Sequence, residues 1–136
     1  MVTTTGLHGI RAMAFLAGQP KGTRVGAAEI ARHIHAPPNY LGKLLQTLGT
    51  AGLLSSHKGR GGGFELARSS KRISLYDVLD PLERLSDKPA CFFGWKKCSD
   101  EKPCAMHHEW KSRREAIHSL LKSVSVHAVA QGDIME

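Results

Sequence analysis

Carboxylates are nearly missing from the front of this chain. Residues 1–72 hold ten lysines and arginines against Glu29 and Glu65, whereas residues 73–136 carry nine against ten. The net charge of +7 therefore sits in one half, as expected when one part of a protein meets a polyanion and the other meets protein. Other absences narrow the field. No apolar run approaches the length of a bilayer span, and neither a basic presequence nor a secretory leader pattern opens the sequence. A soluble, cytoplasmic protein with no membrane partner is expected. There is no H-E-x-x-H, no nucleophile elbow and no pair of carboxylates in an evident pocket context, so neither catalytic residues nor a small-molecule substrate are expected. Aromatic residues are few and no internal repeat is evident. The length suits one domain, or one domain with an appended arm. Cysteine occurs three times, an odd number that argues against a closed disulfide framework.

Those three cysteines lie close together. Cys91, Cys98 and Cys104 are spaced C-x6-C-x5-C, with His107 three residues further on. Loops of five or six residues fold back easily, so the stretch offers three sulfurs and one nitrogen to a single soft metal centre. Lys88, Lys96, Lys97 and Lys102 would favour the thiolate, the form that ligates metal. Structural zinc sites usually draw their cysteines from tight C-x2 to C-x4 pairs, which are missing here. The longer gaps suit an iron–sulfur cluster, 2Fe-2S or 4Fe-4S, whose ligands spread over a larger volume and sometimes include histidine. Zinc, or three reduced cysteines with no metal, are the alternatives at this point.

Taken in order, the chain begins with Thr3, Thr4 and Thr5 as candidate caps for a helix carrying Leu7, Ile10, Met13, Ala14 and Ala17, which ends at Gly18-Gln19-Pro20. Val25 to Ile34 predicts a second, short helix. After His35-Ala36-Pro37, Pro38 is well placed to open a third, since the first turn does not need its missing N–H. Tyr40, Leu41, Leu44, Leu45, Leu48 and Ala51 form the buried stripe of that helix, leaving Asn39, Gly42, Lys43, Gln46 and Thr47 on its open face. Two helices around a tight turn, the second with a polar and basic outer face, make a helix-turn-helix pattern, although many helix pairs of this kind bind nothing.

The next segment strengthens the case. Two strand-like runs, 53–57 and 64–68, flank Lys58-Gly59-Arg60-Gly61-Gly62-Gly63. Such a hairpin tip is what a wing needs: backbone able to adopt positive φ, and cations for phosphate or the minor groove. A phosphate loop is excluded, because no Lys-Ser/Thr closes it and no helix follows. Ser74 and Asp77 then form a capping box for a helix with Leu75, Val78, Leu79, Leu82 and Leu85, which Pro81 should bend or end. From Ala105, the residues Met106, Trp110, Ile117, Leu120, Leu121, Val124 and Ala128 trace one apolar seam, predicting a single long helix that needs a partner, most economically a second copy. The expected fold class is mainly α with a small β-hairpin wing. Its parts are a winged helix-turn-helix domain (1–86), a cysteine-rich loop (87–103), a long C-terminal dimerisation helix (104–130) and a tail (131–136).

Over nearly its whole length the sequence resembles the IscR/NsrR/RirA group of bacterial winged-helix regulators. The run LGKLLQTLGTAGLLSSHKGRGGGFELAR, then RISLYDVL, then the three cysteines carry the likeness. The resemblance implies a dimeric transcriptional repressor that binds a palindromic operator in double-stranded DNA and senses iron–sulfur, redox or nitric oxide status through a cluster. It implies Cys91, Cys98 and Cys104 as cluster ligands, with His107 at the position some members use as the fourth. Two departures stand out. The first gap is six residues where five is usual, and Leu7 stands where some relatives place an acidic ligand of the partner subunit. His8, His33, His35 and His108 remain as other imidazoles. For DNA, Asn39, Tyr40, Lys43, Gln46 and Thr47 of the third helix and Ser56, Lys58 and Arg60 of the wing are the expected contacts, with Arg24, Arg68 and Arg72 as further phosphate partners. Two rival readings are a winged-helix regulator with structural zinc or no metal, and a small iron–sulfur electron carrier that binds no DNA.

Overall fold

In a computed structural model, residues 2–87, 92–93 and 99–132 are described. The helices are α1 (Thr4–Ala17), α2 (Ala27–Ile34), α3 (Pro38–Thr50), α4 (Leu75–Glu83), α5 (His107–Ser123) and α6 (Val126–Gln131), with strands β1 (Leu54–His57) and β2 (Gly63–Leu66) and a 3-10 turn at Ser70–Arg72. The mainly helical architecture with one two-stranded hairpin is the one the sequence predicts.

Local chemistry accounts for most boundaries. Thr3 caps α1 by accepting from the Gly6 N–H at 3.0 Å, satisfying one of the donors a helix start leaves open. His35 ends α2 in the left-handed conformation (φ 57°), and Pro38 occupies the first turn of α3. The capping box of α4 is complete: Asp77 N–H donates to Ser74 Oγ, and Ser74 N–H to Asp77 Oδ2, both at 3.0 Å.

The core lies where α1, α2 and α3 meet. Met13, Ile30, Leu41, Leu45 and Leu48 are fully buried there, joined by Leu53, Ile73 and Val78. Helix α4 crosses α1 at two buried glycines. A Cβ on Gly6 would stand 2.2 Å from Glu83 Oε1, and one on Gly9 2.4 Å from Leu82 Cδ1, so a side chain at either position would displace those of α4. Glu83 Oε1 in turn accepts from the Thr3 N–H (2.8 Å) and Thr3 Oγ1 (2.6 Å), tying the start of α1 to the end of α4.

Strands β1 and β2 pair antiparallel, with Leu54 opposite Leu66 and His57 opposite Gly63. Val25 extends the ladder by one residue. Its N–H donates to Phe64 O at 3.0 Å, and Phe64 N–H donates back to Val25 O at 2.8 Å. Gly63 makes this possible at φ 135°, with an added Cβ only 2.6 Å from the Val25 carbonyl carbon.

Several expectations are corrected. The single helix predicted over 104–130 is two helices. Val124 and Ser125 are extended, because their stretch pairs with the segment before α4: Leu75 N–H donates to Val124 O (2.9 Å) and Val126 N–H to Ile73 O (2.8 Å). Ser125 then caps α6, and Val126 and Val129 enter the first domain as buried residues against α1. The last helix thus belongs to the winged unit. Ala105 and Met106 precede α5 rather than lying in it. Pro81 sits inside α4, which runs two residues further and ends at Arg84 in the left-handed conformation; Leu85 lies beyond it. Leu7 is 42% exposed instead of packed, since the buried edge of α1 is the glycine face toward α4. Ala51, expected in the α3 stripe, is also exposed. Cys91, Cys98, Lys88, Lys96 and Lys97 lie outside the described residues, as does 133–136 of the expected tail.

Candidate nucleic-acid interface and cysteine site

Helix α3 divides cleanly. Its four buried leucines hold it to the core, and Asn39, Lys43, Gln46 and Thr47 are exposed on the other side. Thr47 Oγ1 donates to Lys43 O at 3.1 Å. Tyr40 is placed differently from its neighbours. It is half-buried, its hydroxyl donates to Thr5 Oγ1 at 3.0 Å, and His8 Nδ1 lies 3.2 Å away. Its first task is therefore to pin α3 to α1 and so set the angle at which the open face is presented.

In the wing, Ser56, Lys58 and Arg60 are exposed. Glu65, the single carboxylate of the hairpin, is engaged by His57 at 3.1 Å and Arg24 at 3.5 Å. Arg68 is likewise turned to Asp77 at 3.3 Å. Lys43, Lys58, Arg60, Lys71 and Arg72 form no ion pair among the described residues. This leaves Lys43 on the open helix face, Lys58 and Arg60 at the hairpin tip and Lys71 and Arg72 in the 3-10 turn as uncompensated cations, the electrostatic footprint of a duplex-binding surface. Of the further phosphate candidates, Arg72 is available while Arg24 and Arg68 have carboxylate partners.

At the other end, Cys104 is half-buried and its carbonyl accepts from the His107 N–H at 3.1 Å. The two candidate ligands thus sit on one turn at the entry to α5. His107 is buried, 2% exposed. Its Nε2 lies 2.7 Å from Asp100 Oδ1, and Lys111 Nζ reaches the two oxygens of the same carboxylate at 3.3 and 3.2 Å. The hydrogen bond from His107, then those from Lys111, hold the Asp100 carboxyl below the usual carboxylate range. Sequence reasoning missed Asp100 and Lys111; the i, i+4 spacing of His107 and Lys111, which puts both on one helix face, was a signal for the lysine, whereas nothing local marked Asp100. Phe92 stacks edge-on against Trp110 at 5.6 Å, so a described piece of the loop docks on α5. Among the described residues, no three of His, Cys, Asp and Glu are grouped to hold a metal. Of the other histidines, His8 contacts Tyr40 and His33 stacks on Phe15 at 4.4 Å, while His35 closes α2 and is exposed.

A tri-helical core, a recognition-type helix with a cationic open face and a glycine-tipped wing define a winged helix-turn-helix DNA-binding protein. Residues 2–132 match the family model described as Rrf2, iron-dependent transcriptional regulator, and the chain belongs to that family of transcription regulators. It is 34% identical over 134 residues to a Mycobacterium tuberculosis protein described as an HTH-type transcriptional regulator, covering 95% of this chain and 80% of the other. It is 30% identical over 125 residues to the HTH-type transcriptional regulator IscR of Xenorhabdus nematophila, covering 92% and 76%. Among solved structures, IscR of T. potens superposes with a TM-score of 0.77 at 25% identity, over 96% and 86% of the two chains. CymR of B. subtilis, called the global cysteine regulator, superposes at 0.78 and 24% identity over 96% of each, a likeness of fold. The family and its relatives are regulators and not enzymes. Among the described residues no helix is long and apolar enough to cross a membrane. Membership supports the regulator reading over its rival, the electron carrier that binds no DNA.

Proposed function

We propose that this chain acts in the cytoplasm as a dimeric repressor whose affinity for a palindromic operator is set by an iron–sulfur cluster held by Cys91, Cys98, Cys104 and His107. The observation that carries the reading is the burial of His107 on the same turn as Cys104. Three thiolates and an imidazole are a soft ligand set, and a histidine taken out of water at the entry to a helix is suited to hold such a group. When bound, the cluster supplies a centre whose charge and ligation change with redox state or nitric oxide.

The route from that site to DNA is short. Helix α5 packs on α4, and α4 packs on both α1 and α3, so a shift of α5 tilts the helix that presents Asn39, Lys43, Gln46 and Thr47. In a two-fold dimer joined along α5, half-site spacing is geometric and a small tilt changes the fit. Control requires that loaded and unloaded forms differ in operator affinity.

The test is anaerobic purification with a visible spectrum and iron, sulfide and zinc assays on one sample, then operator titration with and without the cluster. Iron with sulfide, and a several-fold change in affinity lost in Cys98→Ala, is the expected result. Stoichiometric zinc in colourless protein would leave DNA binding standing and replace the switch with a structural metal. For the wing, Arg60→Ala should weaken binding and reduce the salt slope by about 1; an unchanged slope removes Arg60 from phosphate contact.

A further inference from the structure

The main-chain bridge between the segment before α4 and the end of α5 gathers three cations. Ser74 lies opposite Ser125 in that bridge. Lys71 and Arg72 come to it from the 3-10 turn and Lys122 from the last turn of α5. All three line a cavity of about 310 Å³, together with Ser74, Asp77 and Ser125. Since backbone hydrogen bonds hold the two segments together, the gathering of charge is a property of the fold.

Little in the cavity offsets that charge. Asp77 is the one carboxylate of the lining, and its Oδ2 already accepts from Ser74 N–H at 3.0 Å and from Arg68 at 3.3 Å. Lys71, Arg72 and Lys122 form no ion pair among the described residues. Lys122 Nζ stands 4.6 Å from the centre of the Tyr76 ring, a contact that places the ammonium without cancelling its charge. The serines add donors. Ser74 Oγ accepts from Asp77 N–H at 3.0 Å and Ser125 Oγ from Ala128 N–H at 3.1 Å, so each hydroxyl keeps its own proton to give.

We propose that this cavity is a phosphate-binding site, in which Lys71, Arg72 and Lys122 hold a phosphate group and Ser74 and Ser125 donate to its oxygens. Such a group answers the surplus positive charge, and the planar fork of Arg72 suits two phosphate oxygens at once. Its carrier is a small phosphate ligand or the backbone of a bound duplex. In both cases it ties the turn after the wing to the end of α5. None of these residues belongs to the cysteine set, so the site is independent of the cluster reading.

The test follows the backbone amides of the full chain by 15N NMR during titration with inorganic phosphate at constant ionic strength. Saturable shifts at Lys71, Arg72, Ser74 and Ser125, with a Kd of about 1 mM or tighter, are expected for a free phosphate ligand. Lys71→Met and Lys122→Met should each weaken it about 10-fold, whereas Lys21→Met, which removes an exposed charge elsewhere, should not. If inorganic phosphate leaves these amides unmoved while Lys122→Met lowers the salt slope of duplex binding by about 1, the phosphate is that of DNA. Equal weakening by Lys21→Met and Lys122→Met overturns the proposal. So does a silent titration with an unchanged slope in variants that circular dichroism shows to be folded. Parent protein that binds no duplex overturns the DNA reading and leaves the phosphate titration to decide this one.

Discussion

Helices α3 and α5 answer to different partners. The thirteen residues of α3 bury Leu41, Leu44, Leu45 and Leu48 in the core it shares with α1 and α2. The seventeen residues of α5 bury His107 alone, and Leu120 remains 60% exposed. A helix held by four leucines can devote its other face to polar and cationic groups, because its fold no longer depends on them. A helix with so little covered gains little from its own burial, and what steadies it lies outside its own sequence: α4 beside it and the described part of the loop at its entry. Helix α3 is thus built into the domain, whereas α5 is held mainly from one side.

The contrast is broken most severely in the core. Leu45→Ala should destabilise the protein by about 2 to 5 kcal/mol, while Leu120→Ala should cost the isolated chain no more than about 0.5 kcal/mol and act instead on self-association. Urea unfolding and sedimentation of both variants measure this; similar unfolding losses for the two would erase the distinction. At the wing, Gly63→Ala forces a side chain into φ 135° and against Val25, a strain of about 1 to 3 kcal/mol. Faster hydrogen exchange at the Val25 and Phe64 amides should accompany it. Unaltered protection there would mean that the bridge tolerates the substitution and the wing is less firmly seated than its geometry implies.

The smallest effect concerns the seam between α4 and α5. His118 stacks edge-on against Tyr76 at 5.4 Å, and Lys122 stands over the same ring at 4.6 Å. Burial first, then Arg114 and Lys122, lower the His118 pKa, against weaker raising effects from Asp80 and Glu115. The folded state therefore resists the proton that the unfolded chain accepts near the ordinary value of 6.5. The unfolded state binds more protons in this window, so stability rises with pH. It is fully present above that value and declines as pH falls from it toward the lower folded pKa. Replacing His118 by Gln should flatten the stability curve there; a curve of unchanged slope would assign the pH dependence to other groups.

Which parts were legible follows from where their causes lie. The three core helices, the Ser74–Asp77 box, Pro38 at the start of α3 and the glycine-rich wing depend on neighbours within a few residues, and the pattern of residues states them directly. The exposed members of the α3 face were equally readable, since burying Leu41, Leu44, Leu45 and Leu48 leaves Lys43, Gln46 and Thr47 no other direction. Tyr40 was harder. Its ring falls between stripe and open face, and only the hydroxyls of Thr5 and the ring of His8 show that it braces α1.

What the sequence by itself determined, then, is the order of elements, the cationic half, the reading helix with its wing, and a cysteine set three residues from a histidine, all governed by short-range period, capping and composition. The tertiary structure decided the rest. A Val124-Ser125-Val126 run satisfies helical periodicity well enough, but its backbone groups find Ile73 and Leu75, and Val126 finds the core beneath α1. Gly6 and Gly9 read as weak points in a helix until α4 lies across them. Asp100 is an ordinary loop carboxylate until folding sets it against a buried imidazole. In each case the deciding partner is remote in the chain, and burial and hydrogen-bond satisfaction are properties of what the fold brings near.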